Sequence, residues 1–335
     1  MAEKVSIRGR TARRMVRIAN HFPGIGAKAQ SGELRRKLNE REKKWDCPGH
    51  LNHSVIELQN FTMELISEKQ NQQLQQDRIQ SKREELKQSA QKEERRLPGI
   101  ILQLHGGGYY GRLHNTYRDM AALYNEVSKG LDVLTIDYRV APEYPFPAAL
   151  EDAVAAYRWI LEKGYDMART FVAGDSAGGG LALALCLYLR DRGLPMPAGI
   201  VTMSAWTDLT KSGESYAENF DVDPMFGGST DTLVYKEGYY GSWNPEYPYI
   251  SPINGDFQGF PPMLMQVGEY EMLLSDTLKV AKKAREAGVL VKEHMYRGMF
   301  HVFQMGLILY PEAREAWVEV GRFLRSLLKR AENLD

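Results

Sequence analysis

Cysteine is almost missing from this chain. Cys47 and Cys186 are the only two in 335 residues, far too few for a disulfide framework. Cys186 also sits inside an apolar helical pattern, so both read as free thiols of a reducing compartment. Long apolar runs are missing as well. No stretch approaches the ~18 consecutive apolar residues of a membrane span, and the Arg-rich first 30 residues hold no apolar run long enough for a signal peptide. The expected setting is cytoplasmic, without stable membrane insertion. Net charge is absent too: 43 Lys and Arg balance 43 Asp and Glu. The whole molecule therefore offers no electrostatic case for nucleic acid or an acidic ligand. What is present, 43% hydrophobic and 26% charged residues, is the composition of a soluble globular protein. The length allows one large domain with an appendage, or two domains.

The neutral total hides an uneven distribution. Met1 to Lys44 carries 13 Lys and Arg against four Glu, a net of +9, so the remainder is −9. Such an arm suits a membrane or an anionic partner, although a helical pair with solvated basic faces accounts for it more simply. Thr11 to Lys44 reads as one or two amphipathic helices broken by Pro23, Gly24 and Gly26. Ser54 to Ile66 has the β-branched and apolar content of edge strands. In Glu68 to Arg96, 14 of 29 residues are charged and eight more are Gln. That composition cannot bury a face, so the segment is expected to be an exposed helical hairpin or a loop inserted in the chain.

After Pro98 the texture becomes an alternation of short apolar strands and helices. Strands are expected over 100–104, 131–136, 170–173, 198–203, 263–267 and 290–295. Helices are expected over 115–129, 147–163, 176–190 and 276–287, with another at the C-terminus. The rhythm implies an α/β fold with a mostly parallel central sheet flanked by helices. Residues 205–258, rich in Gly, Pro, Asp, Tyr and Trp, are too long for an ordinary connection. An excursion there would lie over the carboxyl ends of the strands, where α/β ligand sites form. The expected division is a helical cap portion over 1–50, a core over 51–204 and 259–335 with the charged insertion at 68–96, and a cap insertion over 205–258.

Gly174-Asp175-Ser176-Ala177-Gly178 matches G-x-S-x-G and stands directly after an apolar strand at the opening of a helix. A sharp strand-to-helix turn projects the Ser176 hydroxyl from the sheet, and the helix N-terminus favours developing negative charge. A helix start capped by Ser would look similar, but it does not explain His105-Gly106-Gly107-Gly108 one strand earlier. Glycines there let backbone N–H groups face a ligand, and the N–H of Ala177 would join them around an oxyanion. His105 reads as a loop-fixing residue.

The base must come from seven histidines. His21, His50 and His53 precede the sheet, His105 and His114 belong to the loop and helix start after the first buried strand, and His294 lies within a strand. His301, in the loop after the last strand, alone satisfies the chain order nucleophile, acid, histidine. Glu269, Glu271 and Asp276 all follow the penultimate strand, where the acid should stand. Asp276 is also explained as a first-turn helix residue. Cys47-x-x-His50-x-x-His53 lacks a fourth metal ligand, and Asp137-Tyr138-Arg139 reads as a scaffold ion pair. Phe220, Met225, Phe226 and Trp243 suggest an apolar pocket or the packing of the cap.

From about Leu97 to the C-terminus the chain resembles the bacterial hormone-sensitive-lipase family of α/β-hydrolase esterases. The resemblance rests on His105-Gly106-Gly107-Gly108-Tyr109, on Asp137-Tyr138-Arg139-Val140-Ala141-Pro142-Glu143 with the following Pro147-Ala148-Ala149-Leu150-Glu151-Asp152, and on Gly174-Asp175-Ser176-Ala177-Gly178-Gly179. It continues through Trp206-Thr207-Asp208-Leu209, Asp223-Pro224, Ser251-Pro252 and Gly298-Met299-Phe300-His301. It implies an α/β-hydrolase fold with a helical cap, and a serine carboxylesterase acting on short- to medium-chain acyl esters with no metal or other cofactor. The triad would be Ser176, Glu271 and His301, with an oxyanion hole from Gly106, Gly107, Gly108 and Ala177. Members usually show G-x-x-D-x-L-x-D at the acid site, so Glu271 in Gly268-Glu269-Tyr270-Glu271-Met272-Leu273 is a departure by one methylene. The implied partner is a small-molecule ester, and a homo-oligomer is left open. The same machinery would serve an amidase, thioesterase, lactonase or transacylase, and a non-catalytic ligand binder would usually have lost a triad member.

Overall fold

A computed structural model describes residues 5–20, 33, 37, 42–69 and 99–332. From residue 70 onward the charged segment expected over 68–96 lies outside them, as do His21 and the expected helix break at Pro23, Gly24 and Gly26.

Eight strands form one sheet: β1 (Leu51–Glu57), β2 (Thr62–Glu68), β3 (Ile100–Leu104), β4 (Asp132–Asp137), β5 (Thr170–Asp175), β6 (Gly199–Met203), β7 (Met263–Gly268) and β8 (Val291–Tyr296). Their spatial order is β1-β2-β4-β3-β5-β6-β7-β8. The edge-strand segment is a hairpin, β1 against β2, and β2 runs antiparallel to β4. All later pairings are parallel. The central strands β3, β5, β6 and β7 are buried along their whole length, which is why their sequences are continuous apolar runs and not alternations.

Side chains still divide by the two-residue period of a strand. Ile101, Val133, Phe171 and Val201 join one core, where α2 (Asn115–Ser128) and α6 (Pro311–Glu332) supply Tyr117, Met120, Tyr124, Trp317 and Leu324. Leu102, Leu134 and Val172 face the opposite core, covered by α3 (Ala148–Glu162) and α4 (Ala177–Asp191). Toward the other edge, α5 (Leu274–Glu286) buries Val280, Ala281 and Ala284 beside Met263 and Met265.

The glycines that open α4 have a packing reason. A Cβ on Gly178 would lie 2.1 Å from the Leu104 carbonyl oxygen, and one on Gly180 would lie 2.1 Å from that of Trp206. Only glycine lets α4 start this close to β3 and to the loop after β6. The Ser176 turn is thereby seated at the centre of the sheet's carboxyl end.

Two segments lie around that end. Residues 205–258 contain little helix: one turn at Ser215–Glu218 and 3-10 turns at Leu233–Tyr235 and Pro252–Asn254. Among the described residues around this end, the longer helix is the N-terminal α1 (Ile7–Asn20). Arg13 donates to the Gly298 carbonyl and stacks over the Tyr270 ring, and Arg17 donates to the Asp221 carbonyl.

Candidate active site

Ser176 occupies the turn between β5 and α4 with φ 52° and ψ −124°. A non-glycine residue held there stores ~1–3 kcal/mol of strain, so the surroundings must fix it. They do so with three backbone bonds: Ser176 N–H to the Met203 carbonyl (2.9 Å), and Trp206 and Gly180 N–H to the Ser176 carbonyl (2.9 and 3.1 Å). The strain aims the hydroxyl, whose oxygen lies 2.9 Å from His301 Nε2.

His301 follows β8 by a short loop, and its Nδ1 lies 3.0 Å from Glu271 Oε2. All three side chains are buried. Glu271 is fixed through its other oxygen, which accepts from the Ser204 hydroxyl (2.8 Å) and from the Gly268 N–H. Ser204 also accepts from the Val302 N–H at 3.0 Å, so one hydroxyl spans the acid's carboxylate and the histidine's loop. Of the three carboxylates considered, only Glu271 meets the imidazole. Glu269 accepts from the Gly298 N–H at 2.6 Å. Asp276 accepts from the Thr207 and Asp208 N–H groups at 2.7 and 2.8 Å. Burial pushes its carboxyl up to about 8, against the pull of those amides.

The glycine loop lies beside the serine. Gly107 and Gly108 adopt φ 106° and 63°, backbone that glycine takes without penalty, and the Tyr110 and Gly111 N–H groups close a turn onto the Gly107 carbonyl. The Gly106 amide instead faces Asp175, whose buried carboxyl is raised to about 7 by desolvation, with His301, Tyr117 and this amide opposing the rise. A Cβ on Gly106 would meet Asp175 Oδ2 at 2.3 Å. Gly106 thus joins the loop to the Ser176 turn through Asp175. His105 is stacked on Tyr138 (4.1 Å between centroids). Burial lowers its pKa to about 4, so it is neutral and donates through Nδ1 to the Gly106 carbonyl.

An alpha/beta hydrolase fold family model matches residues 101–305. An acetyl-hydrolase of Streptomyces hygroscopicus is 40% identical over 226 residues, 68% of this chain and 75% of the relative. The crystal structure of an esterase from the bacterial hormone-sensitive lipase family superposes with a TM-score of 0.78 at 32% identity, covering 97% of this chain and 99% of that one. An esterase/lipase from an uncultured bacterium gives 0.79 at 30% identity over 96% and 99%. The chain belongs to the bacterial hormone-sensitive-lipase family of α/β-hydrolases.

Within this α/β-hydrolase, several supporting residues escaped sequence reasoning. Ser204 is one; its signal was its place at the carboxyl end of β6, next to the nucleophile strand. Asp223 is another. Its carboxylate accepts from the N–H groups of Met225, Phe226 and Met272, which pins the middle segment to the loop carrying Glu271. Phe226 is thereby brought 4.6 Å from the His301 ring, whereas Trp243 packs edge-on against Phe146. Asp137 and Arg139 do not pair with each other. Asp137 accepts from Arg112 and Arg139 donates to Asp152, so this stretch ties the hydrolase sheet to two other elements. His53, from the Cys47 cluster, bonds Glu64 at 2.7 Å.

Proposed function

We propose that this protein is a serine carboxylesterase that hydrolyses short- to medium-chain acyl esters through an acyl-enzyme intermediate on Ser176. The observation that carries the reading is the unbroken relay from Ser176 Oγ to His301 Nε2, and from Nδ1 to Glu271, at 2.9 and 3.0 Å.

The chemistry follows from that geometry. His301 takes the hydroxyl proton as Ser176 Oγ bonds to the ester carbonyl carbon. Glu271 accepts the Nδ1–H and stabilises the imidazolium. The carbonyl oxygen, now an anion, is held by the N–H groups of Gly107, Gly108 and Ala177, while Gly106 keeps their loop against Asp175. Each such donor contributes about 3 kcal/mol to the transition state. When the ester C–O bond breaks, His301 protonates the departing alcohol. Water then loses a proton to His301 and attacks the acyl-enzyme, and Ser176 leaves with that proton restored. No metal or cofactor enters any step. The inner face of α1 and residues 205–258 form the cap over this site in our reading, on the strength of the Arg13, Arg17 and Asp223 contacts. The two free thiols favour a cytoplasmic setting.

Ser176→Ala should abolish hydrolysis of p-nitrophenyl acetate, with circular dichroism unchanged. Retention of full turnover would end the esterase reading.

A further inference from the structure

The basic N-terminal arm has no part in the proposed chemistry, yet α1 is built with two unlike apolar faces. Val5, Ala12 and Val16 pack inward against Tyr296, Met299, Phe300 and Tyr310. Gly9 is buried on the same side, where Ser6 bonds the Glu312 carboxylate through both its N–H and its hydroxyl. The opposite face carries Ile7, Met15 and Ile18, exposed by 74%, 66% and 69%. At 3.6 residues per turn these three fall within roughly a quarter of the helix circumference. Arg8, Arg10 and Arg14 stand among and beside them, also exposed, and α1 contains no acidic residue. Leu309, 71% exposed, lies three residues before Glu312, so it and Ile7 flank the same Ser6–Glu312 tie.

We infer that the outer face of α1 docks on an anionic lipid surface. Apolar side chains ringed by guanidinium groups on a helix lying across a fold match the chemistry of an interfacial helix: the apolar groups enter the acyl boundary and the cations meet the headgroups. A protein partner would need acidic side chains placed against each arginine, whereas a lipid surface needs only net negative charge. Among the described residues no helix is long and apolar enough to cross a membrane, so the association is peripheral. Position gives it a consequence. The inner face of α1 rests on Gly298 and Tyr270, which neighbour His301 and Glu271 in the chain. Docking would therefore bring the loops of the proposed site toward the lipid phase, where apolar esters partition.

The test is sedimentation of the full chain with vesicles. Binding is expected to phosphatidylglycerol–phosphatidylcholine vesicles, not to pure phosphatidylcholine, and should weaken as NaCl is raised. Ile7→Ser, Met15→Ser and Ile18→Ser combined should weaken it more than tenfold while leaving the melting temperature and the hydrolysis of a soluble acetate ester unchanged. Arg8→Gln, Arg10→Gln and Arg14→Gln combined should weaken it similarly and flatten the salt dependence. No retention on anionic vesicles would overturn the inference, as would binding that survives the serine substitutions. A lowered melting temperature in the serine variant would mean that the chain itself covers this face. Loss of a wild-type dimer in that variant would mean that a second copy does. Either also overturns it. Because these residues lie outside the proposed triad, failure here leaves the esterase reading standing, and loss of that reading leaves vesicle binding intact.

Discussion

At the scale of single residues, the site depends on which carboxylate reaches the imidazole and on how that carboxylate is held. Glu271 is anchored by Ser204 and the Gly268 amide, so its extra methylene does not loosen the contact. Glu271→Gln should lower kcat by roughly 10³–10⁴-fold, because an amide stabilises neither the correct tautomer nor the imidazolium. Asp276→Asn should leave kcat within a few-fold, since Asp276 serves the Thr207 and Asp208 amides. A collapse of turnover in the second variant and not the first would reverse the assignment. Ser204→Ala should cost kcat about tenfold, the order expected when a hydrogen bond to a charged group is removed. Steady-state kinetics on one soluble ester would test all three.

At the scale of elements, the close seating of α4 depends on atoms that are absent. Gly180→Ala places a methyl 2.1 Å from the backbone oxygen of Trp206, and that oxygen cannot retreat without moving the loop after β6. The expected cost is about 1–3 kcal/mol, the usual penalty for overpacking, together with reduced turnover because the same loop starts at Ser204. Gly49→Ala is the control: its Cβ would meet nothing within 4 Å, so stability should change by less than ~0.5 kcal/mol. Urea denaturation of the two variants would separate them, and equal midpoints would refute the packing account. Much at this scale was legible from sequence. β3 and β5 announce themselves as apolar runs, and the glycines after each mark the turns where backbone groups approach one another. The low helix content of 205–258 departs from the helical cap that the resemblance implied, and the Gly and Pro of the segment account for it. Its tie to the Glu271 loop was not legible, because Asp223 makes it through the Met272 amide, 49 residues away.

At the scale of the molecule, the packing of α6 on the β7–β8 edge is tied to a buried carboxylate. Burial opposes the ionisation of Glu319, but hydrogen bonds from His294, Lys292, Gln266 and Tyr296 outweigh it and hold the carboxyl at about 2. A folded value below the unfolded 4.5 means that the ionised group stabilises the fold fully above pH 4.5. That contribution is lost as pH falls from there toward 2. Its size is on the order of 3 kcal/mol, at 1.36 kcal/mol per unit. Glu319→Gln should lower the melting temperature at pH 7 and flatten the loss of stability between pH 4.5 and pH 2. A thermal melt series across that range would expose the opposite result, an acid limb as steep as the wild type.

The sequence alone located the G-x-S-x-G turn at Ser176, the glycine loop, His301 after the last strand and the alternating α/β order, because each is written in local turn chemistry, strand texture or order along the chain. Tertiary structure decided what depends on the meeting of distant segments. It brought Glu271, of three neighbouring acids, to the His301 ring, turned the Gly106 amide toward Asp175, and set Ser204 as the strut between Glu271 and the His301 loop. It also buried one face of α1 while leaving Ile7, Met15 and Ile18 outside. A carboxylate's reach and a helix's solvent-facing side are set by packing against residues far away in the chain, and no local pattern encodes that distance.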